Sequence, residues 1–451
     1  MADVKIKYTS LGAGYGVGAS SHYIKLDRYG ILLDAGMDPN SEPEDAIPDY
    51  EVVKQNNVQA IVISHAHFDH IGSLPMAVRN FPHARVYMTP PTAELTEQML
   101  YHYIQVQRKR QKEKNQEFEA FYDEEFVGII RYLFQSFDYR KIFPFHSHEE
   151  SGISFSFYDA GHILGSAGIL IEWRDKKIFY TGNTKKSKQF ILQGAEYPAN
   201  VDVLITETTY GAHEEAEKIK PSSERNRFAA LLTERLKLGG IVLIPVFALG
   251  RTQEILTLLN RLRQTNKIPA VPIFITGFGI NVNKTYDRLL DKTYPDFEHG
   301  SLRKISYGRW IKGRRLQGPA ILLFTSGMMI RGTASFEYSK QLAADEKNGI
   351  FFVGYADPET PAGLFQRRKY EFLREIFGLK SILCKVEIFH FSAHSNRKEL
   401  LDMIAKTNPK TIVLTHGDAA AMHWMQKKIQ AYLKNCRTIL PIKSASYEFL
   451  L

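Results

Sequence analysis

The run Ser64-His65-Ala66-His67-Phe68-Asp69-His70 gathers three imidazoles and one carboxylate at the end of an apolar stretch. In a chain with 15 His among 451 residues, the pattern HxHxDH arises by accident on the order of once in a thousand sequences. Mixed nitrogen and oxygen donors suit zinc or a similar borderline divalent ion, whereas calcium and magnesium prefer oxygen cages. A tight loop can turn residues 65 and 67 to one side and residues 69 and 70 to the other, which would serve two adjacent ions. The bland alternative is a hydrogen-bonded polar loop. Further donors stand downstream: His162 in Asp159-Ala-Gly-His-Ile-Leu-Gly and His416 in Leu414-Thr-His-Gly-Asp418. Alone, either would more often be a structural histidine. Each follows an apolar run as the first motif does, and together they read as metal ligands.

These residues need elements to position them. Ile31-Leu32-Leu33 runs into Asp34, Ile61-Val62-Ile63 into Ser64, and Ile178-Phe179-Tyr180 into Thr181. Short runs rich in β-branched and aromatic residues read as strands, so the polar side chains collect at strand ends. Residues 92–141 lack an internal Pro, are rich in Glu, Lys and Gln, and read as helices. Within them Arg108 to Lys114 reads as a solvated basic face, with an RNA contact as the alternative. From 208 onward, helices near 222–238 and 252–262 alternate with strands at 241–244, 271–275, 321–324 and 350–353. Such alternation predicts a parallel α/β domain. Near 380 the pattern of the first 207 residues resumes, with Val386-Glu-Ile-Phe389 and Thr411-Ile-Val-Leu414. The expected organisation is a first domain over 1–207, an insertion over 208–380 and a completing segment over 381–451.

Composition sets outer bounds. The chain is 44% hydrophobic and 24% charged, ordinary for a globular protein too long for one core. Its net charge of +9 speeds encounters with polyanions without identifying one. Met-Ala-Asp-Val-Lys lacks a secretion-signal pattern, and no apolar run approaches the roughly 18 residues of a membrane span, so a cytoplasmic protein without a membrane partner is expected. Cys384 and Cys436 are the only cysteines, which agrees with a reducing compartment and leaves His and carboxylate to hold any metal.

The spaced motifs resemble the metallo-β-lactamase superfamily over nearly the whole chain. Asp34 in Leu-Leu-Asp-Ala-Gly matches its first motif, HxHxDH the second, His162 the third, and Tyr180-Thr-Gly-Asn183-Thr occupies the fourth. The inserted region is similar to the β-CASP domain: Thr206-Glu207-Thr-Thr-Tyr-Gly, Phe391-Ser-Ala-His394-Ser and Val413-Leu-Thr-His416-Gly match its three motifs, supported by Pro245-Val-Phe-Ala-Leu-Gly-Arg251 and Thr325-Ser-Gly-Met-Met329. The resemblance implies an α/β fold, a four-layer αββα sandwich with an inserted parallel α/β β-CASP domain closing over the metals. It implies two zinc ions, or manganese, one held by His65, His67 and His162 and the other by Asp69, His70 and His416. Asp34 would orient a ligand histidine, His394 would protonate the leaving oxygen, and Glu207 would orient His394. Ser392, Ser326, Gly327 and Arg251 are weaker candidates for phosphate contacts, with loop stabilisation as the alternative. The implied activity is metal-dependent cleavage of RNA, single-stranded above all, with DNA as a rarer substrate and homodimers common in the family. The lack of a long extension after the core is an expectation against the RNase J branch.

Two positions depart from the family pattern. Asn183 stands where a bridging aspartate is usual, so Asp69 is the only charged carboxylate of the implied ligand set and one ion should bind weakly. Three readings stay open: a substitution introduced to trap an inactive enzyme, a natural enzyme working with one firmly held ion, or a metal-poor RNA-binding or scaffold protein. The intact remaining ligands favour the first. Asn396 stands where an acidic residue is usual, which puts the support of His394 in question.

Overall fold

The protein is seen in a computed structural model that describes residues 5–450 apart from 13, 39, 40, 42, 115–120, 146–150, 295–301, 312 and 314–316. It divides into two compact units. The first comprises Met1–Lys188, Leu192–Glu217 and His394–Leu451, and the second Gln189–Ile191 and Lys218–Ala393.

The first unit is built on two seven-stranded sheets. One runs in the order Ser446–Leu450, Lys5–Ser10, His22–Leu26, Tyr29–Leu33, Val58–Val62, Arg85–Met88, Phe134–Ser136. Its first three pairings are antiparallel and its last three parallel. The other runs Arg437–Ile439, Thr411–Thr415, Val203–Glu207, Lys176–Tyr180, Ala167–Trp173, Ile153–Asp159, Ile142–Pro144, and again divides into three parallel and three antiparallel pairings.

Side chains alternate along these strands, as the two-residue period requires. Ile31, Leu33, Ala60 and Val62 join Ile178, Tyr180, Val203 and Ile205 in one core between the sheets. Leu32, Ile61 and Ile63 face the opposite way, onto helical residues such as Ala77, Leu100 and Ile104. Phe179, Leu204, Ile412 and Leu414 likewise face Leu400, Met403 and Met425 of the helices Arg397–Thr407 and Ala419–Tyr432. Burial on both faces explains the continuous apolar runs seen in the sequence, and the result is the expected αββα layering.

In the second unit all five pairings of the six-stranded sheet are parallel, with helices such as Pro221–Lys237, Arg251–Gln264 and Gly277–Thr293 between strands.

Two expectations need correction. The helical reading of 92–141 holds for Pro90–Lys114 and Glu124–Ile130, but Phe134–Ser136 is an edge strand beside Arg85–Met88. Sheet pairing overrides local helix preference there. The insertion runs over Lys218–Ala393 rather than 208–380, because residues up to Glu217 stay with the first unit and Lys385–Ile388 pairs with Gly349–Phe352 in the second unit's own sheet. On the basic stretch, Arg108 is exposed and ion-paired with Glu124 at 2.8 Å, as a solvated face requires. The side chains of Arg110 and Lys114 lie outside the described residues. Among the described residues no helix is long and apolar enough to cross a membrane.

Candidate metal centre

The polar residues singled out in the first unit follow the C-terminal ends of strands, where parallel α/β sheets place their ligands. Asp34 follows Tyr29–Leu33, the HxHxDH run follows Val58–Val62, His162 follows Ile153–Asp159, and Asn183 follows Lys176–Tyr180. Glu207 ends its own strand, and His416 follows Thr411–Thr415. Asp34 and His416 both adopt left-handed backbone, at φ 60° and 48°. That conformation is costly for residues with a Cβ and is kept where surroundings impose it. Gly36 lets the chain approach closely: a Cβ there would lie 1.7 Å from the Asp69 carbonyl oxygen.

His67 is extended, at φ −70° and ψ 147°, and caps the one-turn helix Phe68–Ile71 that carries Asp69 and His70. The change of backbone between the two pairs sends their donors to separate triplets. His65, His67 and His162 form one and Asp69, His70 and His416 the other, the ligand atoms of each lying within 4.8 Å of one another. His162 Nε2 lies 3.0 Å from His67 Nδ1. His416 Nε2 lies 3.1 Å from Asp69 Oδ2 and 3.4 Å from His70 Nε2. The triplets adjoin, with the His65 and His70 ring centroids 4.0 Å apart.

Oxygen acceptors behind three of these rings fix which nitrogen faces inward. His70 Nδ1 donates to Asp34 Oδ2 at 2.7 Å, His65 Nδ1 to Ser64 Oγ at 3.0 Å, and His416 Nδ1 to Thr209 Oγ1 at 3.1 Å. Ser64 Oγ can accept because its own proton goes to Asp34 Oδ2, and Thr209 Oγ1 because its proton goes to the His416 carbonyl. In each case Nδ1 is the nitrogen engaged by the oxygen behind the ring, which leaves Nε2 as the atom available to a metal.

The donors fit a divalent cation. His65 Nε2 is buried and has no hydrogen-bond partner, and the same holds for Asn183 Oδ1. Burial, reinforced by His70, His162 and His67, holds the His65 imidazole well below its ordinary pKa, so it is neutral. Burial opposes ionisation of Asp69, but His70 and His416 outweigh it and keep the carboxyl below the ordinary carboxylate range. His70 runs the other way: burial opposes its charge, but Asp69 and Asp34 outweigh it and raise its pKa, so a cation bound there would take the place of that ring's proton.

Beside the triplets stands a dyad. Both carboxylate oxygens of Glu207 accept from His394 Nδ1, at 3.0 and 2.8 Å, and Oε1 also accepts from Thr184 N at 2.6 Å. Glu207 is 1% exposed. Burial raises its pKa, yet the neighbouring His394 brings it below the ordinary value. The His394 ring lies 4.6 Å from His162, centroid to centroid. Its segment is stitched to that of Asn183: Ser395 N donates to the Thr184 carbonyl at 2.7 Å, and Lys186 N to Ser395 Oγ at 2.8 Å.

Asn396 does not support His394. Its side chain accepts from Glu399 N at 2.9 Å and caps the helix Arg397–Thr407. The Arg251 guanidinium is buried and committed to the Phe391 carbonyl and the Gln189 side chain, which is a structural role within the second unit. Ser326 Oγ accepts from Ile330 N at 3.1 Å, and Ser392 is half-buried. A Cβ on Gly327 would lie 3.1 Å from the Phe247 ring. Sequence reasoning missed Ser64, Tyr180 and Thr209, whose hydroxyls bond to the candidate ligands His65 and His416 or to Asp34 behind His70. All three sit inside the spaced motifs, but single hydroxyls carry no spacing signature.

Two mixed sheets with paired histidine and carboxylate triplets at their strand ends define a metallohydrolase sandwich. Comparison with known proteins agrees. Residues 23–209 match a profile described as a metallo-β-lactamase superfamily domain, 252–363 a Beta-Casp domain, and 380–439 a Zn-dependent metallo-hydrolase RNA specificity domain. The chain belongs to the β-CASP family of the metallo-β-lactamase superfamily. It is 30% identical over 442 residues to an RNase J-like protein of Methanocaldococcus jannaschii, covering 94% of this chain and 97% of that one. Chain length therefore does not separate it from the RNase J branch, contrary to expectation. It is also 30% identical over 445 residues to the Drosophila melanogaster cleavage and polyadenylation specificity factor 73, covering 93% of this chain but 61% of that protein. A crystal structure of an Enterococcus faecalis V583 protein of unknown function aligns along all of both chains with a TM-score of 0.53 at 14% identity, a likeness of fold alone.

Proposed function

We propose that the protein is a metal-dependent phosphodiesterase that cleaves RNA, with zinc or manganese at the two triplets. The observation that carries this reading is the pair of adjoining triplets with the His394–Glu207 dyad at their side. Divalent cations held there would supply Lewis acidity, lowering the pKa of water and neutralising phosphate charge. The chain's own contribution is orientation and proton supply. Asp34, Ser64 and Thr209 hold their partner rings with Nε2 inward. Glu207 anchors His394 through Nδ1, which leaves Nε2 to deliver a proton to the leaving oxygen. Ser392, Ser326 and Gly327 remain our candidates for phosphate donors. The names of the related proteins support an RNA substrate, and a cytoplasmic homodimer is part of the proposal.

Asn183 favours a second reading, a non-catalytic RNA-binding or scaffold protein. Its amide oxygen is neutral, so two dications would share only the Asp69 charge. The two readings part on Asn183→Asp. For the nuclease we expect at least about tenfold gains in metal affinity and in metal-dependent cleavage of single-stranded RNA. RNA labelled at either end would report endonucleolytic or exonucleolytic products. No metal-dependent cleavage of varied RNAs by Asn183→Asp would overturn the catalytic reading, and RNA binding that survives chelation would then support the second.

A further inference from the structure

We propose that Tyr15, His423 and Lys427 form a nucleotide subsite beside the metal centre, the Tyr15 ring stacking on a base of single-stranded RNA and Lys427 meeting a neighbouring phosphate. The inference rests on the RNA reading above and adds where the strand is gripped.

Tyr15 sits between glycines in Gly14-Tyr15-Gly16-Val17-Gly18 and is 47% exposed. One exposed aromatic is ordinary on a protein surface and carries nothing alone. Its anchoring is what matters. Gly16 N donates to the Gly417 carbonyl at 2.8 Å, and Gly417 directly follows the candidate ligand His416. The loop base is packed, since a Cβ on Gly14 would lie 2.9 Å from both Lys443 N and the Pro441 carbonyl oxygen. On the outer side there is room, for a Cβ on Gly16 would meet nothing within 4 Å. A pinned loop thus holds a large ring next to the metal-ligand segment with its neighbourhood open.

The ring is braced from one side. His423 lies parallel to it, with centroids 6.0 Å apart and an interplanar angle of 10°. His423 Nδ1 donates to the Ala419 carbonyl at 2.6 Å, which fixes that ring on its helix. Two aromatic planes held parallel and part-exposed suit a planar heterocycle, and every nucleobase offers such a face. Lys427 lies four residues beyond His423 on the same exposed helical face. Among the described residues it has no acidic partner. A base platform with a cation one helical turn away matches the repeat of a nucleic-acid strand, where a phosphate follows each base.

The test is a binding titration of the full-length protein in chelator with fluorescent single-stranded RNA, followed by anisotropy. Tyr15→Ala should weaken binding about tenfold and Tyr15→Trp should retain it. Lys427→Ala should lower the slope of log affinity against log salt by about one. An abasic nucleotide scanned along the RNA should find a position where wild type loses affinity and Tyr15→Ala loses nothing more. The thermal transition of Tyr15→Ala should match wild type, because its ring is so exposed. Wild type that binds RNA only as tightly as Tyr15→Ala, or a Tyr15→Ala loss of equal size with every abasic RNA, overturns the subsite alone. Wild type that binds no RNA overturns the subsite together with the reading beneath it.

Discussion

Asp34 Oδ2 accepts three hydrogen bonds of 2.7 Å, from His70 Nδ1, Ser64 Oγ and Tyr180 Oη, while Oδ1 accepts from Ser64 N at 2.6 Å. Through Ser64 the same carboxylate governs His65, so one buried acid sets two ring orientations. Tyr180 neutralises part of that carboxylate's demand from the inter-sheet core. In Tyr180→Phe the carboxylate keeps two side-chain donors but loses its restraint from that side. Zinc affinity should fall about tenfold, with a stability change of about 1 kcal/mol in the chelated protein. Competition against a chromophoric chelator measures the first and denaturant unfolding the second; unchanged zinc affinity would remove Tyr180 from this role. The histidines were legible because they recur after apolar runs in short motifs. Tyr180 was not, since its hydroxyl matters only once one strand has been laid opposite another.

At the level of elements, the helix Arg397–Thr407 begins with a reciprocal cap. Asn396 accepts from Glu399 N, and Glu399 Oε2 accepts from Asn396 N at 3.0 Å and from Lys185 Nζ at 2.8 Å. Asn is among the best N-caps, so the departure from the family's acidic residue preserves the helix start. Asn396→Ala should cost about 1 kcal/mol and Asn396→Asp almost nothing, read from chemical denaturation. Burial disfavours the Glu399 carboxylate, but Lys185 outweighs it and lowers the pKa from its ordinary 4.5. A depressed carboxyl stabilises the fold fully above its unfolded value, and the gain is lost as pH falls through the folded one. Stability should therefore decline below pH of about 4.5, and Glu399→Gln should make that decline shallower; an identical acid limb in the variant would refute the assignment. The strand Phe134–Ser136 was illegible for the converse reason, because its identity comes from the neighbour it pairs with.

For the whole molecule, five imidazoles and one carboxylate from distant strand ends converge within the first unit. Cations bound there would act as a stabilising ligand of the folded state. Zinc at a hundred times its dissociation constant should raise unfolding free energy by about 2.7 kcal/mol over chelated protein. Urea unfolding with and without EDTA checks this, and an unmoved midpoint would count against metal binding at these residues. The alternation of strands and helices made the inserted unit legible, yet its far boundary lies later than that alternation suggests. Val386-Glu-Ile-Phe389 carries the same apolar pattern whichever sheet receives it, and only the pairing with Gly349–Phe352 decides.

The dyad has a temporal consequence. Glu207 and His394 stand near the two junctions of the insertion, 187 positions apart, and His416 comes later still. At synthesis rates of about 5–20 residues per second, roughly ten to forty seconds separate the emergence of the two dyad partners from the ribosome. Throughout that interval the nascent chain already carries His65, His67 and His162 but neither His394 nor His416, so the dyad and the second triplet can form only after the whole insertion has been made.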